Sequence, residues 1–584
     1  VNQQAREYTL RHPTKFWLTE AAEESHMSEI TRRGFVRGAA LAPLAMSPFR
    51  SLAQQAAAPG DRFDFVFAGA GHNSLICAAY LAKGGYKVLV LEGRPTIGGG
   101  TKTAEVCLPG FKEDLCSSVH SGISNNPLIR NNELPLRDYG YGEYIEPDPV
   151  MHIPFLDGAS ITVWRDLDRT CEAIARFSKK DAETFRRMVA EYKAYTAATS
   201  ANRGGSADSG APKIPKPGVW QRRMAMSGYD LVCELYESDY MRRANLVCGH
   251  FGSVPGGDPG TGSQAFALVV QQLSGRVIPK GGSGTLSVAL GRFIEDHDGV
   301  VLTSKPVTQL MIENSKCVGV TCMDGSTYRA EKSVVSTIHI KNLVNMAPRE
   351  LWGEDFLEGV ELYQPEHAML SLHYATTEAP KYPLPTGGTI STCEAAIAPP
   401  LNYYLEMNYL EARGEVNLDT PPGLQIVSPS VADPSRAPAG CHTVKIESNL
   451  PYALKEGPKH WDNIKDQVAD ALLNHLRRFA PNLTPDKFLG KFIESPLDIE
   501  RMNPSMWRGS THGGAMNPAQ SGNMRPVPGW ANYRMPISGL YQTGACTAPG
   551  GAVTGMPGRN AATVILKDFG TSLEEVVAKK SSKS

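Results

Sequence analysis

At 584 residues the chain is too long for a single simple core; about 150 residues per domain leaves room for roughly three to four units, or two large ones carrying insertions. Its 59 Lys+Arg balance 60 Asp+Glu, which argues against a nucleic-acid binder. A hydrophobic share of 41% excludes bulk disorder, and no run approaches the ~18 apolar residues of a spanning helix, so a soluble chain that at most touches a membrane surface is expected.

Near the N-terminus, Met27-Ser28-Glu29-Ile30-Thr31-Arg32-Arg33-Gly34-Phe35-Val36 precedes a weakly apolar stretch and then Ala-rich residues. The segment 27–58 resembles a twin-arginine export signal, with Met27 as a natural start and Ser51-Leu52-Ala53 as the better cleavage site. The expectation is an exported, periplasmic protein; an ordinary N-terminal arm on a cytoplasmic one is the alternative.

Asp64-Phe65-Val66-Phe67-Ala68 reads as a buried parallel strand that runs into Gly69-Ala70-Gly71-His72-Asn73-Ser74 and an apolar helix over 75–83. Gly84-Gly85 stops the helix, and Lys87-Val88-Leu89-Val90-Leu91 forms a second strand ending in Glu92. This is the order of a nucleotide-binding Rossmann unit. Gly69 allows the tight turn, Gly71 lets the backbone approach a pyrophosphate, and the helix N-terminus supplies N–H donors. Ser74 stands where the pattern has its third glycine, and Glu92 stands where a carboxylate can accept hydrogen bonds from a ribose. His72 is expected to shape the turn.

Arg94 and a second glycine cluster, Gly98-Gly99-Gly100-Thr101, follow directly, without P-loop spacing. Gly281-Gly282-Ser283-Gly284 opens a helical stretch (286–294) and is not a second fingerprint. One dinucleotide, FAD, is the economical answer.

Further along, 202–218 reads as a loop; 300–302, 307–312, 317–323 and 333–336 read as strands around a hairpin turn at Asp324-Gly325. Residues 368–375 alternate as a strand with Leu370, Leu372 and Tyr374 on one face. Residues 376–401 and 419–440 are Pro-rich and loop-like. Ile464, Val468, Leu472 and Leu476 place an amphipathic helix over 461–479, packed on its own core. Eleven cysteines include no C-x-x-C pair, which removes zinc ribbons, iron–sulfur clusters and dithiol redox centres; no metal site is expected.

The blocks at 69–103, Asp433-Pro434-Ser435-Arg436-Ala437-Pro438-Ala439-Gly440, Gly539-Leu540-Tyr541-Gln542-Thr543-Gly544-Ala545 and Pro549-Gly550-Gly551-Ala552-Val553-Thr554-Gly555-Met556-Pro557-Gly558-Arg559-Asn560 resemble the phytoene-desaturase-like FAD oxidoreductases. Within them the resemblance is to the branch of the pyridine nucleotide-disulphide oxidoreductase domain-containing proteins. It implies an α/β fold: a discontinuous Rossmann-type FAD-binding domain (61–125, 275–345, 500–570) and a mixed sheet-plus-helix substrate domain (126–274, 346–499). It also implies that the backbone of Val307 meets the adenine, and that Gly544, Ala545 and the helix opening at Gly555, Met556 and Gly558 lie beside the ribityl chain and flavin ring.

A flavin accepts a hydride itself, so the protein need only position a C–H bond, exclude water and remove a proton. The catalytic candidates are His512, in Ser510-Thr511-His512-Gly513-Gly514, and Arg525, in Met524-Arg525-Pro526; a structural role for both is the competing reading. The leading expectation is a dehydrogenase, desaturase or isomerase of a small apolar substrate such as a polyene or isoprenoid. Electrons would pass to oxygen, a quinone or another carrier. The alternatives are a flavin oxidase of an amine or small aromatic compound, whose site would often carry an aromatic pair flanking the flavin, and a redox-silent FAD-containing binding protein.

Overall fold

The Phe63–Ala68 and Val88–Leu91 strands are buried on both faces and pair in parallel, Val66 opposite Leu89 and Ala68 opposite Leu91. Apart from the part-buried Asp64, both strands are apolar throughout, which fits a sheet with helices on both sides. The computed structural model describes residues 62–203, 213–250, 254–419 and 422–579, so the export-like segment lies outside the described residues.

The first sheet runs in the order Val307–Glu313, Lys316–Cys322, Thr327–Ser336, Phe63–Ala68, Val88–Leu91, Val300–Leu302, and Leu540–Gln542 pairs with the C-terminal half of Thr327–Ser336. The Thr327–Ser336 strand begins six residues before the expected 333–336 strand. Its first half alternates exposed and part-buried residues against Lys316–Cys322, antiparallel. Its Ser333-Val334-Val335-Ser336 end is wholly buried and parallel to Phe63–Ala68. The polar alternation of Tyr328, Arg329 and Glu331 is that of a half-solvated hairpin strand, a weaker signal than the buried apolar end. The hairpin turns at Asp324-Gly325, where Gly325 has φ +81°.

Over this sheet, the helix His72–Lys83 packs against Gly284–Asp296 and Met556–Asp568. The second crossing is close. A Cβ on Gly558 would stand 2.3 Å from the Asn73 carbonyl oxygen, so only glycine permits it.

The second sheet runs Phe488–Glu494, Ala368–Thr376, His442–Leu450, Leu424–Val427, Glu394–Ile397, Met151–Pro154, Ser160–Val163. The helix Trp461–Arg477 covers one face, where Leu370, Leu372, Tyr374, Val444 and Ile446 meet Val468, Leu472 and Leu476 in one core. The Leu424–Val427 and Glu394–Ile397 strands replace loops expected in the Pro-rich stretches. Each is four residues long and flanked by Pro, too short for alternation to register, and acquires strand structure from its buried neighbours. Of the 202–218 loop, 204–212 lie outside the described residues, and Pro217 already opens the helix Pro217–Ala225. A helical layer including Lys179–Arg203 and Ala267–Ser274 packs around Phe185, Trp220 and Phe266.

The Asp433–Arg436 motif ties the end of the second sheet's Leu424–Val427 strand to the Glu113–Asp114 strand and to the turn before the Gly284–Asp296 helix. Arg436, fully buried, pairs with Asp114 at 2.9 Å, and the backbone N–H of Gly281 donates to Asp433 at 2.7 Å.

Candidate active site

One cavity of about 960 Å³ reaches from the Gly69–Gly71 turn to the second sheet, at the upper end of the roughly 300–1,000 Å³ usual for ligand sites. At the first-sheet end, Gly69, Gly71, Glu92, Arg94, Gly99, Gly100 and Val307 line it. A Cβ built on Gly71 meets no atom within 4 Å, so this glycine faces open cavity. The helix it caps has no side-chain cap and no acid in its first turn, which leaves its first N–H groups for an anion.

Glu92 accepts the N–H of Ala70 at 3.0 Å and that of Arg94 at 2.9 Å, tying the phosphate turn to the end of the second strand. Its lone pairs exceed these two bonds, so a ribose hydroxyl can still be received. Lys102 also lines this end; burial pulls its ammonium below the usual lysine range. The residues present fit a dinucleotide: a backbone cradle without side chains, two basic groups and one ribose-directed carboxylate.

Three expected residues stand behind the cavity wall. Ser74 is buried in the helix, Gly98 donates its N–H to Ala70 at 2.8 Å, and Thr101 bonds Gly98 and Ser287. His72 lines the turn, and burial pushes its imidazole down to about 4, so it is neutral.

In the middle of the cavity, Gly544, Ala545, residues 551–554 and His512 come together. A Cβ on Gly551 would sit 2.4 Å from the Cα of His512, so the two segments touch through backbone. Gly555, Met556 and Gly558 are set back, the last against Asn73; the cavity is met instead by Thr554.

His512 is fixed by a residue that no sequence motif marks. The buried Glu366 accepts the His512 backbone N–H at 2.6 Å and lies 3.3 Å from Nδ1. Burial alone would disfavour the imidazolium; the Glu366 charge outweighs it, and the pKa of His512 rises. Arg525 does not line the cavity. Its buried guanidinium donates to the carbonyls of Ala545 at 2.8 Å and His512 at 3.0 Å, locking the His512 loop onto the 544–545 segment. This placement is that of a residue that positions the loop.

The sequence pattern described as flavin-containing amine oxidoreductase matches residues 245–566, more than half of the chain, and that of an NAD(P)-binding Rossmann-like domain matches 68–131. The chain belongs to the flavin-containing amine oxidoreductase family. Its cofactor is FAD, and it is an FAD-dependent oxidoreductase. Pyridine nucleotide-disulfide oxidoreductase domain-containing protein 2 of Mus musculus is 26% identical over 552 residues, 87% of this chain and 94% of that one. One subunit of the limonene dehydrogenase of Castellaniella defragrans is 27% identical over 557 residues, 88% of this chain and 97% of that one. Phytoene and hydroxyneurosporene desaturases also match. Among solved structures, an oxidoreductase from Methanosarcina mazei superposes with a TM-score of 0.55 at 18% identity, over 86% of this chain and 99% of that one, which shows a shared fold.

At its second-sheet end the cavity is lined by Arg276, Met369, Glu394, Gln425, Val427, Lys445 and Glu447. Arg276 pairs with the buried Glu394. Lys445 pairs with Glu447 at 2.8 Å and donates to the Cys116 carbonyl at 2.6 Å. Burial raises the pKa of Glu394 against the pull of Arg276. Burial lowers that of Lys445, but Glu447 outweighs it and the net shift is upward. The sequence reading singled out none of these five polar residues. Among the described residues, no Phe, Tyr or Trp lines the cavity.

Proposed function

We propose that this flavoenzyme dehydrogenates, desaturates or isomerises a small, largely apolar substrate. The observation that carries the reading is the single cavity joining the dinucleotide cradle to the second sheet, with His512 at its middle. Val119, Met369, Val427 and Met506 give that space apolar walls. The names of the relatives, a limonene dehydrogenase and phytoene desaturases, support an isoprenoid or polyene skeleton. The lack of aromatic lining among the described residues speaks against the aromatic pair of an amine oxidase.

Bound FAD would supply the acceptor for the hydride that leaves the substrate carbon. His512, neutral above its raised pKa, takes the proton from the neighbouring carbon, so a double bond forms and the charges balance. Glu366 holds the imidazole and stabilises it once protonated, Arg525 fixes the loop that carries it, and the walls exclude water. The acceptor of the electrons would be oxygen, a quinone or another carrier. Anaerobic photoreduction followed by mixing with oxygen or a quinone tests this. Reoxidation by either supports it, a flavin that cannot be reduced overturns it, and rapid stoichiometric bleaching by NADH or NADPH reassigns the enzyme as a reductase.

We also propose export by the twin-arginine route, on the Thr31-Arg32-Arg33-Gly34-Phe35 pattern. Changing Arg32 and Arg33 to Lys should leave a folded, flavin-bound protein in the cytoplasm; an unchanged distribution between fractions rejects it.

A further inference from the structure

The second-sheet end of the cavity is not the wall that a hydrocarbon alone requires. Three adjacent strands present polar side chains to it in register. Gln425 stands opposite Glu447, and Val427 is flanked by Lys445 on one side and Glu394 on the other. Glu394, Lys445 and Glu447 are at most 5% exposed, and Gln425 is 9% exposed. Buried charge of this density is retained only where it is paired, and here each charge has its counter-charge: Arg276 with Glu394, Lys445 with Glu447.

Pairing cancels the charge but not the hydrogen-bonding capacity. An ammonium has three donors, and the two bonds of Lys445, to Glu447 and the Cys116 carbonyl, leave one. Among the described residues the Arg276 Nε and the Glu394 Oε2 have no partner, although both atoms are themselves sealed from the cavity surface. The Gln425 amide, held by one long bond of 3.4 Å to Glu394, offers both a donor and an acceptor. The wall is thus electrically neutral yet both donating and accepting.

We infer that this wall is a subsite for an alcohol hydroxyl on an otherwise apolar substrate, the side chains of Arg276, Gln425, Lys445 and Glu447 receiving the oxygen while the skeleton lies between the wall and the flavin. A hydroxyl donates one bond and accepts two, which matches a mixed neutral wall. A carboxylate would have to compete with Glu394 for Arg276 or with Glu447 for Lys445. An ammonium would have to compete with Arg276 and Lys445 for the same carboxylates. Either would break a buried ion pair. A pure hydrocarbon would strip water from these groups and return no hydrogen bond. The inference rests on the reading of the cavity as the place where an apolar skeleton meets the flavin, and adds where its polar end lies.

The test is equilibrium binding to the flavin-loaded enzyme, followed by perturbation of the flavin absorbance, with four probes of one skeleton: limonene, perillyl alcohol, perillic acid and perillylamine. The alcohol should bind roughly tenfold more tightly than the hydrocarbon, the size of effect one to two net hydrogen bonds give, and the acid and amine more weakly than the alcohol. Gln425→Met, close in volume, should abolish most of the alcohol's advantage, weakening the alcohol while the hydrocarbon binds no more weakly than to the wild type. The wild-type ranking is decisive even if this variant does not fold. Equal or tighter hydrocarbon binding, preference for the acid or the amine, or no perturbation by the alcohol up to its solubility each overturn the subsite. None of these bears on whether the flavin is reduced and reoxidised, so failure here is separable from failure of the oxidoreductase reading.

Discussion

The two ends of one cavity are built from different materials. The dinucleotide end is mostly main chain: glycines, a helix start without a side-chain cap, and a carboxylate whose visible bonds go to backbone N–H groups. The far end is almost entirely side chain, four charges in two buried pairs with an amide beside them, all carried on a sheet and on the segment after the Ala267–Ser274 helix. Main-chain recognition demands particular residues at fixed spacing, because only glycine lets the backbone come close. Side-chain recognition demands only that distant segments meet, and leaves each residue looking ordinary in sequence.

The largest effect should follow from filling the main-chain end. Gly71→Val places a side chain in the open space where the pyrophosphate would lie, and its Cβ meets no protein atom within 4 Å, so the protein should fold and purify largely without flavin. A full flavin spectrum in the variant would break the assignment of the cradle.

At the side-chain end the pairs themselves can be split. Glu394→Leu strands the Arg276 guanidinium in a low-dielectric wall and should cost about 3–5 kcal/mol in urea unfolding, whereas the double change Arg276→Met, Glu394→Leu should recover most of that loss. A double variant no more stable than the single one would mean that Arg276 is satisfied by groups other than Glu394.

A smaller shift should come from the residue between the two ends. With Glu366 beside it, His512 loses its proton above the ordinary histidine value, so a base role predicts turnover that rises with pH through that raised pKa. Glu366→Gln removes the charge that outweighs burial and should move the rising limb to lower pH, with flavin content unchanged. An unmoved limb assigns the profile to another group.

The smallest effect concerns stability. His373 is buried on the same face of the second sheet as Lys445, opposite it in register. Burial opposes its charge, but Glu113 and Glu494 outweigh it and raise its pKa to about 9. A pKa raised on folding contributes stability that is complete below the unfolded value, about 6.5, and is lost as pH rises through about 9. The unfolding free energy should therefore fall across that window, and a His373→Gln variant should show a flatter dependence in the same titration.

What the sequence determined by itself follows from local rules. Gly69, Gly71, Glu92 and the two strands around them are read from spacing because strand, turn and helix are contiguous, and the C-terminal block from 539 to 562 is read from its likeness to a family. Even there, local signals carried only so far. Gly98, Thr101 and Gly558 sit in the right motifs but serve packing behind the wall, and Arg525 holds carbonyls instead of meeting the cavity. Tertiary structure alone decided the rest. Lys445, Glu447 and Asn449 alternate with Val444, Ile446 and Ser448 along His442–Leu450, a pattern that in sequence describes a strand with its polar face in water. Folding buries that face against the cavity: Lys445 pairs with Glu447 on its own strand and donates to the distant Cys116 carbonyl, while Arg276 comes from far along the chain to pair with Glu394 on a nearby strand. Glu366 reaches His512 in the same way, across 146 residues of chain. Hydrophobic pattern and glycine spacing are properties of neighbours in the chain; the pairing of Arg276 with Glu394 and of Glu366 with His512, and the burial of the Lys445–Glu447 pair, are properties of neighbours in space.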